Sequence, residues 1–153
     1  IRAERKVTYA RAAILKGFIA RKNPKGGIHL SLNRSNSNEG YLLGRLFAVL
    51  ERVQETSSPG INATIRDRFY GAASSSPVSV FSQLLKLKNH HLAKLENKGL
   101  ITFFEKEIGE IMNGLEKIPP HLPLEEQSFF AIGYYHQRQD FFKKTTTSEK
   151  TTD

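Results

Sequence analysis

A chain of 153 residues is long enough for one domain with a single hydrophobic core and too short for two. Its formal charge of +8 and its pI near 9.8 favour an acidic partner, that is, nucleic acid, an anionic membrane or an acidic protein. The lack of cysteine excludes disulfides and thiolate metal sites, so a cytoplasmic protein is expected. No apolar run approaches the ~18 residues of a membrane span.

The positive charge is concentrated at the N-terminal end. Residues 1–34 hold nine basic side chains and one acidic one, whereas the other 119 residues are neutral overall. The balance changes again further along, from +4 over residues 61–98 to −4 over residues 99–142. The sequence therefore predicts a basic end and an acidic flank.

The first predicted element is a helix over residues 2–22, with a thin apolar line at helical spacing. The basic side chains around that line form a candidate patch for a polyanion: Arg5, Lys6, Arg11, Lys16, Arg21 and Lys22. A solvated connector is the alternative, and a membrane-surface helix is disfavoured because the apolar stripe is narrow. Pro24 and the glycines after it end the element, so residues 1–27 are predicted to be a basic helix and linker.

A short extended segment and a core helix are predicted next. Apolar and polar residues alternate from Ile28 to Leu32, which favours extended backbone. Apolar residues then recur at spacings of 3 and 4 over residues 41–55, which predicts a helix with one broad buried face. Asn36 or Asn38 is expected to cap this helix.

Residues 61–95 are predicted to hold two helices joined by a small-residue link at residues 71–76. In the first helix, apolar residues repeat every four positions and leave Arg66 and Arg68 on opposite flanks. Both arginines are candidates for contact with nucleic acid.

The second of these helices is expected over residues 78–98. Ser76 followed by Pro77 predicts its start, as an N-cap with proline at the first helical position. Residues 97–99 resemble a glycine C-cap and predict its end.

Lys86, His90 and Lys94 share one polar line on that second helix, opposite a wide apolar arc. The line spans ~12 Å of helix, enough to meet about two phosphates of a strand. A solvated lysine face is the alternative. Lys88 and His91 fall inside the apolar arc and are weaker candidates for nucleic-acid contact.

Cations inside an apolar arc need a specific explanation. They must snorkel to the surface, pair with a buried acid such as Asp67, or contact another subunit. Pairing or snorkelling is the favoured interpretation for both side chains.

Two more helices complete the prediction. Apolar residues at spacings of 3 and 4 over residues 101–118 indicate packing in a bundle, and the polar side of that helix, with Glu105, Glu107, Glu110 and Glu116, forms the acidic flank. Residues 124–143 are apolar or aromatic in nearly every direction, which is typical of a central helix, or of one with a face that binds a partner. The expected fold is all-α, a bundle of about five helices in residues 28–143, followed by a disordered polar tail at residues 144–153.

No catalytic constellation with convincing spacing is present in the sequence. His90 and His91 project ~100° apart on a helix and cannot chelate one metal, and His136 is expected to be a hydrogen-bonded structural histidine. There is no Gly-rich phosphate loop, serine elbow or HExxH. The sequence therefore predicts a protein that is not an enzyme and uses no metal or cofactor.

Several strings closely resemble the C-terminal region of the large subunit of the type I-C CRISPR Cascade complex, a region also made separately as that complex's small subunit. These strings are YLLGRLFAVLERVQ at 41–54, NATIRDRFYGAASSSPVSVFSQLLKLKNHHLAKL at 62–95 and AIGYYHQRQDFF at 131–142. The segment RKVTYARAAILKGFIAR at 5–21 is similar to the part before it. The resemblance covers most of the chain.

The resemblance implies a helical, non-nuclease protein that lines an RNA-guided surveillance complex. Its implied partners are target DNA, met through sequence-independent backbone contacts, the subunits of the guide RNA–protein complex, and further copies of itself along that complex. The positions carried over are Arg66, Arg68, Lys86, Lys88, His90, His91, Lys94 and Arg138. A helical module that assembles the complex and touches DNA only incidentally is the alternative function.

One departure concerns the start of the chain. The sequence begins with Ile1, and its only methionine is Met112. This indicates a piece of a longer protein, such as the tail domain of the large subunit, or a small subunit whose start codon the amino-acid sequence conceals.

Overall fold

The computed structural model describes the backbone of residues 31–149 and the side chains of residues 31–143. Within this range five helices follow one another: α1 (Glu39–Ser57), α2 (Ile65–Ser75), α3 (Pro77–Leu92), α4 (Lys98–Asn113) and α5 (Leu124–Glu149). No strand occurs in residues 31–149, and the predicted all-α bundle is confirmed. The predicted N-terminal helix, its six candidate basic residues and most of the extended segment lie outside the described residues.

Helix α1 is the centre of the bundle. All of its residues from Gly40 to Glu51 are buried, and α2, α3, α4 and α5 each pack against it. Its N-terminus is capped as predicted, since the side chain of Asn38 accepts a hydrogen bond from the Tyr41 N–H at 2.8 Å. The aromatic pattern of α5 favours that helix as the central one, and this interpretation is wrong: α5 packs mainly against α1, whereas α1 packs against all four of the other described helices.

The backbones of α1 and α5 touch. A Cβ atom at Gly44 would overlap the backbone of Phe130, and one at Gly133 would overlap the backbone of Tyr41. Glycine is therefore required where the helices approach this closely. The close approach also places polar side chains of α5 directly against α1.

Aromatic rings fill the centre of the core. Phe47 of α1 packs edge-on against Tyr70, Phe81 and Tyr134, with ring centroids 5.6 to 6.4 Å apart. These rings come from α2, α3 and α5, so one residue of α1 connects three other helices. Arrangements of this kind add stability beyond the buried area alone.

Helix α2 begins later and ends later than predicted. Thr64 and Asp67 form a capping box that starts the helix at Ile65. The predicted link at residues 71–76 is wrong, because residues 71–75 continue the helix and only Ser76 separates it from α3. The fully buried side chain of Ala73 explains why this small-residue stretch is helical.

The ends of α3 also differ from the prediction. Pro77 occupies the first turn as expected, although Ser76 makes no side-chain capping hydrogen bond. The helix ends at Leu92, and the predicted glycine C-cap is wrong: Asn97 caps the next helix by accepting from the Leu100 N–H at 3.1 Å. Helix α5 runs to Glu149, six residues past its predicted end, so residues 144–149 of the predicted disordered tail are helical. Disorder of residues 150–153 stays a prediction.

Candidate nucleic-acid interface

Lys86, His90 and Lys94, here called the basic ridge, all face solvent on the outer side of α3 and the turn after it. The opposite side of the helix is anchored in the core by Val80, Phe81, Leu84 and Leu92. The apolar arc read from the sequence therefore orients the helix as predicted.

The charges of the basic ridge are not neutralised within the part of the chain that the structure describes. None of its three side chains forms an ion pair there, whereas Arg34, Arg52 and Arg138 all do. The chain also has no carboxylate between Asp67 and Glu96. The ridge therefore presents two unpaired lysines, with an exposed histidine between them, to an anionic partner.

His91 lies beneath the ridge and is only 8% exposed. Neither ring nitrogen has a hydrogen-bond partner in the described structure, and the ring packs edge-on against His90 at 5.8 Å. Burial first, and then the neighbouring Lys94 and His90, lower the pKa of His91. At neutral pH the side chain is therefore uncharged and adds nothing to the charge of the ridge.

Lys88 is half-buried, as expected of a lysine whose stem covers apolar surface. Asp67, the buried acid suggested as its partner and that of His91, is exposed. Its carboxylate accepts hydrogen bonds from the Thr64 N–H and hydroxyl at 3.2 and 3.0 Å. Pairing with Asp67 is therefore excluded for both side chains.

Arg68 and Arg66 have different environments although they lie two residues apart. Arg68 is exposed and forms no ion pair with a described residue. Arg66 is half-buried, donates to the Tyr135 hydroxyl at 3.2 Å and lies 5.6 and 5.9 Å from the ring centroids of Tyr134 and Tyr135. Arg66 therefore lies against α5, whereas Arg68 is exposed to solvent.

Arg138 takes part in an internal ion pair. Its guanidinium is 2.6 Å from the Glu51 carboxylate and donates to the Tyr134 hydroxyl at 2.9 Å, and Tyr134 in turn donates to Glu51 at 2.5 Å. Burial would lower the pKa of Arg138, but Tyr134 and Glu51 outweigh it and raise that pKa. A role of Arg138 at nucleic acid stays a prediction, and its first partner is Glu51.

A second polar network was not visible in the sequence. Arg34 contacts Glu107 at 3.0 Å, Glu110 at 3.5 Å and Asp140 at 3.7 Å, which connects the chain before α1 to α4 and α5. Glu107 is buried, so it does not belong to the surface flank to which its helical position assigned it. Arg34 lies 73 and 76 residues from Glu107 and Glu110 in sequence, and no local spacing reveals such pairs.

Arg45 lies near this network and is only 1% exposed. Its Nε donates to Gln137 at 3.0 Å, and burial lowers the pKa of the guanidinium. An arginine inside the apolar run of α1 is the one sequence signal for this network, since a buried cation requires acceptors. His136 is hydrogen-bonded to the Tyr41 hydroxyl at 2.9 Å, so its predicted structural role is confirmed.

The described residues contain neither a metal site nor a helix that could span a membrane. Within residues 31–143 no three His, Asp or Glu side chains come together as a metal site. None of the five helices has the length and apolar character needed to span a bilayer.

These observations define a class of protein: over residues 31–143 the chain is a helical bundle that carries exposed, unpaired basic side chains along α3. The model of the CRISPR-associated protein family Cas_Csd1 matches residues 1–142, and the chain belongs to this family. No curated protein matches it. The family match confirms the resemblance seen in the sequence at the level of a CRISPR-associated protein.

Proposed function

We propose that the protein is a non-catalytic, nucleic-acid-binding subunit of a type I-C CRISPR RNA-guided surveillance complex, where it contacts the target DNA backbone and stabilises the opened strands. The observation that carries the proposal is the basic ridge, three exposed basic side chains with no carboxylate partner in the described structure. Family membership supplies the context of the complex.

The chemistry of the ridge fits sequence-independent contact with phosphates. Lysine binds a phosphate as a point charge and gains affinity from released counterions, without reading bases. Exchange of a DNA duplex for a guide–target duplex is nearly balanced in free energy. A few backbone contacts are therefore enough to favour the opened state.

The described titratable groups support a binding role over a catalytic one. The buried carboxylate of Glu51, whose pKa is raised by burial, is occupied by Tyr134 and Arg138. Glu107 is likewise occupied by Arg34. Glu51 lines a small pocket with Arg52, Glu55 and Arg138, but its carboxylate is already hydrogen-bonded by Tyr134 and Arg138, so we propose no chemical step.

The test compares two double charge reversals in the full chain. Lys86→Glu with Lys94→Glu should weaken binding to single-stranded DNA more than tenfold in a mobility shift at low salt, since two phosphate contacts become repulsive. Lys106→Glu with Lys117→Glu makes the same change in net charge at exposed positions on and after α4 and should have a much smaller effect. Equal losses in both variants would show that net charge, and not the ridge, governs binding.

A protein-interaction module is the second candidate function. Leu124 and Phe142 of α5 are 69% and 51% exposed, which suits contact with another subunit. If this function is the main one, the chain will co-purify with the assembly subunits and show no DNA shift near 150 mM salt. Binding that persists at that salt and depends on Lys86 and Lys94 favours the first function.

A further inference from the structure

Helices α4 and α5 both pack against α1 and leave a groove between them, because extensive packing of α4 on α5 is absent in the described structure. The floor of the groove is aromatic, since Phe103 of α4 and Phe141 of α5 meet there with ring centroids 6.3 Å apart. Its rim is acidic, with Glu107 and Glu110 on α4 and Asp140 on α5. We call this surface the acidic groove.

Arg34 shows that the rim of the acidic groove accepts a cation from the segment before α1. Its guanidinium lies 3.0 Å from Glu107, 3.5 Å from Glu110 and 3.7 Å from Asp140, so one side chain joins both walls. Arg34 and the nearby buried Arg45 place two positive charges against three carboxylates, which leaves the rim with a net negative charge. The rim can therefore pair with a further cation.

The N-terminal part of the chain has the complementary pattern. Residues 1–30 hold eight basic side chains and one acidic one. The apolar line of the predicted first helix consists of Val7, Ala10, Ile14 and Phe18. At ~100° per residue, Arg11 and Arg21 border this line within ~60°, whereas Arg5 and Lys16 project from the opposite side. An apolar stripe with arginines beside it matches an aromatic floor with a carboxylate rim.

The connection is short enough for the same chain to fill the groove. Residues 23–33 separate the predicted helix from Arg34 and span at most ~36 Å when extended. Helix α4 has 16 residues and is ~24 Å long, so the predicted helix can lie along it. Covalent linkage over such a span raises the effective concentration to the order of millimolar, which favours this segment over a separate partner.

We propose that residues 2–22 bind in the acidic groove as a further helix of the bundle. Their apolar line packs on the aromatic floor, and Arg11 and Arg21 lie at the acidic rim. Arg5 and Lys16 then face outward and stay available to an anionic partner. The inference goes beyond the proposed function, because it concerns a contact within one chain and holds with or without nucleic acid.

The test measures the distance between the predicted helix and α5 in the full chain. Because the sequence has no cysteine, Ala12→Cys and Gln139→Cys carry two spin labels at unique positions. Ala12 lies on the outward side of the predicted helix, and Gln139 is exposed on α5. Pulsed electron paramagnetic resonance should give one narrow distance distribution below about 30 Å, since packed helices are ~10 Å in diameter.

Two charge reversals in the labelled chain examine the rim. Arg11→Glu with Arg21→Glu should broaden the distribution and lengthen the mean distance by one helix diameter, ~10 Å, or more. Arg5→Glu with Lys16→Glu makes the same change in net charge on the opposite side and should leave the distribution narrow. Adding Glu110→Lys to the first variant should restore part of the narrow distribution, which a general folding defect would not allow.

Several results would overturn the inference. A broad distribution in the labelled chain without charge reversals means that residues 2–22 do not bind in the groove. Equally narrow or equally broadened distributions in both charge variants mean that the acidic rim does not hold the segment. The same narrow distance between singly labelled chains in a mixture places the segment in the groove of a second copy instead. Circular dichroism of each variant checks that the bundle is retained.

Discussion

Buried polar side chains of the bundle differ in whether they have a partner. Glu51 and Glu107 are each held by an arginine, whereas the ring nitrogens of His91 have no partner in the described structure. Removing the arginine from such a pair leaves a buried carboxylate without its counter-charge, which lowers stability. Protonating a buried imidazole that has no partner likewise places an uncompensated charge inside the protein. Both kinds lead to predictions about stability.

His91 makes stability depend on pH. Burial, Lys94 and His90 lower its pKa in the folded chain, so the unfolded chain binds a proton more readily. Stability therefore rises with pH and is lost as the pH falls through the unfolded value of about 6.5 toward the lower folded pKa. Urea unfolding at pH 7.5 and 5.5 should show a smaller acid-induced loss in His91→Leu than in the unmodified chain. The matched variant of exposed His121, His121→Gln, should keep the full loss.

Arg138 stabilises the fold through Glu51, whose side chain is almost fully buried. Arg138→Gln leaves that carboxylate without its cation, and we expect the free energy of unfolding to fall by about 2 to 4 kcal/mol. Arg52→Gln should cost less than about 1 kcal/mol, because its pair with Glu55 is partly exposed. The measurement is the urea midpoint of each variant. Equal costs for the two arginines would contradict an internal role for Arg138.

At the scale of the helices, apolar spacing located four of the five described helices, although α3 and α4 end at Leu92 and Asn113, five or six residues before their predicted ends, and it misplaced both ends of α2. The pattern located the cores of α1, α3, α4 and α5, because their buried residues recur at spacings of 3 and 4. It failed for the second half of α2, where small residues indicate a link but Ala73 packs into the core. Whether such a stretch is helical depends on how it packs against other helices. The spacing of residues in a single sequence carries no information about that packing.

The contact between α1 and α5 depends on glycine at specific positions. Gly44→Ala would push a Cβ atom into the backbone of Phe130, so the two helices must separate, and we expect a loss of about 3 kcal/mol. Gly71→Ala is the matched control, since a Cβ atom there meets nothing within 4 Å. Alanine in that helical position should raise stability by about 0.5 to 1 kcal/mol. Thermal unfolding of both variants checks the difference, and similar midpoints would contradict close backbone packing.

At the scale of the whole described molecule, residues 31–143, the arginines Arg34, Arg52 and Arg138 form ion pairs, whereas the three side chains of the basic ridge form none. The sequence predicted the ridge because Lys86, His90 and Lys94 share one face of a single helix. It did not separate Arg66 and Arg138 from that group, because their partners Tyr135 and Glu51 lie 69 and 87 residues away. Contacts within one helix can be read from spacing, whereas contacts between helices require the fold.

This segregation predicts how salt affects binding to DNA. If the ridge neutralises two phosphates of a single strand, the slope of log affinity against log salt should become shallower by about 1.4 in Lys86→Gln with Lys94→Gln. Lys106→Gln with Lys117→Gln removes the same charge from exposed positions outside the ridge and should leave the slope nearly unchanged. Both slopes are measured by fluorescence anisotropy titrations with a labelled oligothymidylate at about 50 to 200 mM salt, where the affinity depends strongly on salt. The same slope in both variants would mean that the strand does not follow α3.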